Sequence, residues 1–401
     1  MTSNRRNLII LFLTMVVIML GFGIIIPILP FYVEAMGASG RDLGLLMAIF
    51  ALMQLIFAPM WGGLSDRIGR KPVLLIGIVG NALSQLLMGL ATQLWMLFAA
   101  RALAGILSSA TLPTAMAYIG DSTSAERRSG GMGVIGAAMG VGMVLGPGLG
   151  GWLAAENLSW PFFLAAALSV VVLVFVHLIL PESLPPERRT TRRQTFNGPD
   201  LGGMWRALTG PLGYLMFLSF LLSFGLTNFE GIFGLYALER FGYGPQQVGS
   251  ILTIIGLTSA VTQAALTGPL SRRWGESRVI QGALLVSAVG FVLMLSANSF
   301  ATLLLTTSFF IIGNALLRPV AAALISRRSS EQEQGMALGM HNSFMSLGRI
   351  VGPVWAGFAF DYWLSLPYLS GALIMTIGLL TTFVWLTHHP PAETAVAALS
   401  E

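Results

Sequence analysis

The sequence predicts an all-α integral membrane protein of twelve transmembrane helices arranged as two parallel six-helix halves. Three observations carry that prediction. Of 401 residues, 55% are hydrophobic and only 10% charged, where soluble domains carry about 25% charged residues. Twelve apolar runs are each long enough to cross about 30 Å of hydrocarbon, which takes roughly 20 helical residues. Landmarks in the first half of the chain recur in the second at one fixed shift, the mark of an internal repeat.

The runs lie at 8–29, 43–63, 73–93, 95–118, 132–155, 160–180, 211–236, 246–269, 279–298, 300–325, 335–358 and 366–387, with only Thr92-Gln93 and Asn298-Ser299 as turn signals at two of the joins. Asn4-Arg5-Arg6 precede the first run without a small-residue cleavage site, so that helix is expected to stay as a signal anchor. Seventeen of the 22 Lys and Arg fall on the side of the N-terminus, Arg41 and Arg240 fall opposite, and Arg101, Arg318 and Arg349 lie inside helices. Such a bias predicts an even number of crossings, both termini in the cytoplasm and insertion at a plasma membrane. The net charge of +5 therefore follows topology and argues against a nucleic-acid partner. Cys is absent, which excludes disulfides, thiol catalysis and Cys-based metal sites.

The longest polar stretch, Pro181 to Gly210, is rich in Pro, Arg and Thr and reads as a cytoplasmic linker at 181–210 between halves at 1–180 and 211–389, with a cytoplasmic tail at 390–401. Gly62-Gly63-Leu64-Ser65 recurs as Gly268-Pro269-Leu270-Ser271, Gly69 as Gly275, Leu112-Pro113 as Arg318-Pro319 and Gly146-Pro147 as Gly352-Pro353, each 206 positions on. Carriers built from parallel repeats bind substrate near the midplane between them.

Within the seventh run, Leu221 to Arg240, one acid stands deep in apolar sequence: Glu230. An ionised carboxylate at that depth is costly, so Glu230 is expected to be protonated for part of its cycle, paired with a distant Arg, or open to a water-filled cavity. Arg101 lies about six residues from the outer end of helix 4 with no acid within a turn, and must find a carbonyl, an anionic substrate or Glu230. Arg318 and Arg349 are the other helix-interior cations, so three arginines face one deep acid. Gln54, Asn228 and Asn314 are polar exceptions in apolar helices, and Phe224, Phe229 and Phe233 flank Glu230. His177 and His341 also lie within helices; a lone helix histidine is more often packed and hydrogen-bonded than part of a relay, and His341 is retained as a candidate pocket residue. An adaptable apolar pocket with one acid and a few amides suits amphipathic cations, and suits sugars poorly because they require many hydrogen bonds. No metal-ligand cluster, phosphate loop or catalytic nucleophile with its base is found, so no catalytic residue, metal or cofactor is expected.

Two motifs surround this. Gly62-Gly-Leu-Ser-Asp66-Arg67-Ile-Gly69-Arg70-Lys71 stands between helices 2 and 3. Its glycines allow a tight turn, Asp66 suits a helix N-terminus, and Arg67, Arg70 and Lys71 are placed to bridge to acids such as Asp121. Helix 5 carries Gly142, Gly146-Pro147, Gly150 and Gly151, a face of small residues at four-residue spacing that lets helices touch backbone to backbone, with Pro147 bending the helix.

The first motif resembles the loop signature of the major facilitator superfamily, in which it acts as a conformational latch. The helix 5 glycines resemble the signature of that superfamily's antiporter branch. Along nearly its whole length the chain is similar to the multidrug and quinolone efflux antiporters of Gram-positive bacteria, the NorA and Bmr type, through Gly23-Ile-Ile-Ile-Pro27-Ile-Leu-Pro30, Asp42-Leu-Gly-Leu-Leu, Leu222-Ser-Phe-Gly-Leu-Thr-Asn-Phe-Glu230 and Arg318-Pro319. The resemblance implies proton-coupled efflux of amphipathic drugs across a bacterial cell membrane by a monomer, with protons as the coupling ion, the bilayer as partner and no cofactor. It puts Glu230 on the family's essential acid, gives Arg101 a part in proton transfer, and sets Gln54, Arg101, Phe233, Arg318 and Phe344 on pocket-lining positions. The departures are Ala315, where the family has a second acid, Arg349, where it has an uncharged residue, and helix 1, which lacks the acid that tetracycline antiporters place there. Fewer carboxylates leave the proton stoichiometry open, and Arg349 is expected to shift preference toward neutral or anionic compounds. The competing reading is an uncoupled or differently coupled exporter of a metabolite such as a lipid or sugar.

Overall fold

A computed structural model describes residues 3–190, 200–330 and 333–388; the expected tail at 390–401 and part of the linker lie outside them. The described residues form α1 (Ser3–Ala35), α2 (Gly40–Ile68), α3 (Arg70–Gly89), α4 (Leu94–Leu107), α5 (Thr111–Ser122), α6 (Ala125–Ala154), α7 (Trp160–Ile179), α8 (Leu201–Thr209), α9 (Gly213–Phe241), α10 (Pro245–Ala265), α11 (Thr267–Leu295), α12 (Phe300–Arg328), α13 (Gln334–Tyr362) and α14 (Leu366–His388), with no strand among them. Eleven spans among the described residues are long and apolar enough to cross a membrane. α4 and α5 make one of these, Leu94–Ser122, tightened at Ser108–Ala110 into a 3₁₀ turn; Pro113 just beyond lacks the N–H that would continue the ladder. α13 is the twelfth long helix, its sequence diluted by Gly, Ser, Asn342, His341 and Arg349. α8 is a short linker helix whose start is capped by Asp200, which accepts from the Gly203 amide at 2.7 Å, while Trp205 stays exposed.

The repeat is written into the backbone. Among the described residues four glycines take left-handed φ: Gly37 and Gly242, both at 69°, and Gly69 and Gly275, at 108° and 76°. They form two pairs, 205 and 206 positions apart, at the turns where only glycine is unstrained. Gly275 sits inside α11 as a sharp kink, so the chain breaks at Leu266 and again at Gly275, and the polar Arg272-Arg273-Trp274 segment is helical where the sequence predicted a loop.

Helix crossings repeat as well. A side chain added to Gly146 would meet the Gly23 Cα of α1 at 2.8 Å, and one added to Gly352 would meet the Phe224 carbonyl of α9 at 2.8 Å. Gly142 and Gly348, one turn earlier, make the matching approaches to α1 and α9. Small residues at these crossings replace side-chain packing by backbone contact.

The chain packs as two compact units, unit 1 (Met1–Pro199 with Gly234–Gly256) and unit 2 (Asp200–Phe233 with Leu257–Glu401). Their border differs from the expected halves, because the chain leaves unit 2 within α9 and returns within α10. The part of α9 and α10 that belongs to unit 1 packs closely there: Gly234 meets Pro30 of α1, and Gly148 and Gly151 of α6 meet Thr253, Gly249 and Pro245 of α10. The core of unit 1 gathers Met15, Leu74, Ile78, Tyr118 and Val176. In unit 2 an aromatic chain runs Phe233–Phe229–Phe310–Phe291, with ring centroids 4.9, 5.2 and 4.5 Å apart.

Candidate functional site

The mid-helix charges of unit 2 lie on three helices. Glu230 lies near the middle of α9, Arg318 in the inner part of α12 and Arg349 in the middle of α13. Arg318 and Arg349 are exposed on the unit and Glu230 is partly so. Ionised groups at such depth do not face hydrocarbon, so this is a polar-facing surface. Glu230 makes no hydrogen bond or ion pair with any described residue, but its charge and that of Arg349 act on each other, as do those of Arg349 and Arg318. Arg349 donates to the Ser346 hydroxyl at 3.0 Å, one turn back on its own helix.

The neighbouring candidates point elsewhere. Asn228 is fully buried, and its amide nitrogen donates to the Pro367 carbonyl at 2.7 Å. It therefore ties α9 to α14 and does not line an open pocket, because two helical residues on from it, at Glu230, the side chain has turned to the opposite face. Phe233 is 1% exposed and belongs to the aromatic core just described. Phe344 is likewise buried, and His341, at 3% exposure, shares a 2.7 Å hydrogen bond between its Nδ1 and the Ser219 hydroxyl of α9. Since Ser219 also reaches the Leu215 carbonyl at 2.6 Å, its proton is committed there and Nδ1 is the donor. Asn314 is buried with its amide nitrogen unpartnered, beside the equally buried Ala315.

In unit 1, Gly105 lets α4 approach the backbone of α2 at Phe50. One turn earlier on α4, Arg101 is 2% exposed, lies 4.6 Å over the Phe50 ring and donates from Nε to the Leu46 carbonyl at 3.2 Å. Of the partners open to it, the structure selects a carbonyl and an aromatic face, and leaves Nη1 buried without a hydrogen bond. Gln54, four residues beyond Phe50 on α2, is half-buried.

The latch motif is assembled in unit 1. Arg70 binds Asp66 at 2.5 Å, Asp121 at 2.8 Å and the Ser65 hydroxyl at 2.7 Å. Lys71 instead donates to the His177 carbonyl at 2.7 Å, and Arg67 is exposed. Gly62 has no atom within contact of a would-be side chain, whereas Gly69 makes the turn. Asp66 is not at a helix N-terminus as expected, since it lies in the last turn of α2. That role belongs to Glu182, which sequence reasoning passed over as part of the linker: its carboxylate accepts from the Arg70 and Lys71 amides at 2.8 and 3.2 Å, and from Leu184 at 3.0 Å. A negative cap there offsets two cations in the first turn of α3. In the helix 5 motif, Gly142, Gly146 and Gly150 pack on α1, Gly151 packs on α10, and Pro147 stands between the two faces.

A model of the Major Facilitator Superfamily matches residues 11–212 and 215–401. The chain is 35% identical to Multidrug resistance protein 2 of Bacillus subtilis over 96% of each chain. It is 28% identical to the Quinolone resistance protein NorA of Staphylococcus aureus over 96% of this chain and 98% of that one. Among solved structures, the nucleoside transporter NupG (D323A mutant) superposes with a TM-score of 0.80 at 14% identity, covering 94% of this chain and 99% of that one.

Proposed function

The chain belongs to the major facilitator superfamily, and from that premise we propose that it exports amphipathic drugs or similar small molecules in exchange for protons, by alternating access of two halves at 1–180 and 211–389 joined by the linker at 181–210. The observation that carries this reading is Glu230, an acid at mid-depth on a polar-facing surface with no ion-pair partner among the described residues. It supports a site that proton and substrate occupy in turn. The names of the relatives, a multidrug and a quinolone resistance protein, support drug efflux as the task.

In this reading Glu230 takes a proton from the outer side, the loaded carrier reorients, and a substrate entering from the cytoplasm or inner leaflet displaces the proton. Coupling follows because the two occupants bias the same two-state equilibrium. Arg101, held by Leu46 and Phe50, keeps a cation near α2, and the Arg70 cluster latches one state. The carrier works as a monomer in a bacterial plasma membrane with both termini cytoplasmic. Everted vesicles carrying Glu230→Gln are expected to show no drug-driven proton movement while still binding drug; undiminished exchange overturns the reading. Ala315, in place of a second acid, favours one specific rival, an uncoupled exporter, for which transport is indifferent to an imposed pH gradient.

A further inference from the structure

Unit 2 holds more positive charge at membrane depth than it neutralises. Counted at 1.5 Å per residue from the helix ends on the linker's side, His341 lies about 10 Å in, Arg318 about 15 Å, Arg349 about 22 Å and Glu230 about 26 Å. Each guanidinium offers five N–H donors. Arg318 uses none of its own on a described residue, and Arg349 uses one, on Ser346. Their charges nevertheless act on each other.

Among the described residues no carboxylate forms an ion pair with either arginine, and Glu239 stands at the far end of α9. Among the described residues Glu276 of α11 pairs with Arg327 at 3.3 Å, Asp361 stands at the far end of α13, and α14 has no charged residue before His388. His341, held by Ser219, adds no negative charge. Two like charges kept together at this depth without a carboxylate partner are costly. Two planar forks that share one polar-facing surface match the two oxygens of a carboxylate.

We propose that Arg318 and Arg349 form an oxyanion cradle that binds the carboxylate of amphipathic ligands on the surface that also bears Glu230. The inference rests on the reading of that surface as substrate-binding. It reverses the sign of coupling for one ligand class. With Glu230 ionised the three groups carry one net positive charge, and with Glu230 neutral they carry two. A cation and a proton compete for this surface, whereas a carboxylate and a proton bind cooperatively.

The test uses the full-length protein in nanodiscs, titrated with naphthoate, its neutral amide and the naphthyl-trimethylammonium cation. Binding is read by calorimetry in buffers of different protonation enthalpy, so that proton uptake is measured with affinity. Naphthoate is expected to bind at least about tenfold more tightly than the amide, the scale of a charge-assisted hydrogen bond, and to take up protons as it binds. Arg349→Gln is expected to remove that advantage and leave amide binding within about twofold, and Arg349→Lys to restore part of it. Glu230→Gln is expected to tighten naphthoate and abolish its proton uptake. Equal binding of naphthoate and amide, or a parallel loss of both in Arg349→Gln, overturns the cradle. Should Arg349→Gln fail to fold, Arg318→Gln carries the same comparison. Proton release by the ammonium probe belongs to the exchange reading alone: its absence with the naphthoate preference intact sinks exchange and leaves the cradle standing.

Discussion

Two arginine clusters of this molecule are built on opposite principles. Around Arg70 each polar group is spent: the guanidinium serves Asp66, Asp121 and Ser65, and Glu182 closes the helix end beneath it. Around Arg349 almost nothing is spent, with one contact to Ser346 and an acid, Glu230, that is near enough to be felt but forms no ion pair. Satisfied charges hold a structure in one state. Unsatisfied charges at depth store affinity for something that comes and goes, which is what a carrier's binding surface requires.

The comparison breaks most visibly at Arg70. Arg70→Ala leaves Asp66 and Asp121 facing each other without their cation. The expected loss of stability is about 2–3 kcal/mol, below the full cost of opening a buried pair because Asp66 is 43% exposed. It is measured as a lowered thermal midpoint in detergent, with transport reduced more than substrate binding. An unchanged midpoint means that the cluster is not a latch.

Next in size is the glycine face of α6. Gly142→Ala pushes a methyl group into α1, where Met19 and the Val16 carbonyl both lie 2.6 Å from its position, whereas Gly140→Ala, two residues away, meets nothing within 4 Å. The first is expected to destabilise by about 1–3 kcal/mol, as overpacking does. The second is expected to leave the midpoint unchanged or raise it slightly, since alanine is the better helix former. Equal effects from the two would show that the α1–α6 crossing does not depend on backbone contact.

Much of this was legible before any coordinates. Twelve spans, the 206-residue repeat, the glycine face and Glu230 follow from apolar length, spacing and the cost of charge, all of which are local or periodic properties. What was not legible depends on the direction of side chains. Glu182 follows a proline at the end of an apolar helix and reads as a solvated linker acid; only the fold returns it to the start of α3, 112 residues away in sequence. Asn228 and Phe233 share a helix with Glu230, and apolar context alone did not tell that they turn into the interior of unit 2. Asp66 falls between the apolar runs at 43–63 and 73–93 and reads as an acid suited to a helix start, whereas α2 runs on to Ile68. Glu182→Gln tests the missed residue: it keeps one oxygen for the Arg70 and Leu184 amides, loses the acceptor of the longer Lys71 bond and removes the charge from the α3 N-terminus, so a loss of about 1 kcal/mol is expected, its charge-dependent part shrinking as salt is raised.

The smallest expected change in stability lies on the other side of the comparison. A side chain that makes few contacts contributes little to the fold, and a cation kept at membrane depth beside another cation opposes it. Arg318→Gln and Arg349→Gln should therefore leave the thermal midpoint of the ligand-free protein unchanged or raise it, although both residues sit far deeper in the membrane than Arg70. The doubly substituted protein should gain at least as much as either single one but less than their sum, because either substitution already removes the repulsion between the two and the second removes only the remaining cost of a cation at depth. A drop comparable with that of Arg70→Ala would mean that these arginines are structural and that the contrast between the two clusters is false. A rise, together with lost binding of a carboxylate probe, would place them among residues retained for function at a cost to stability.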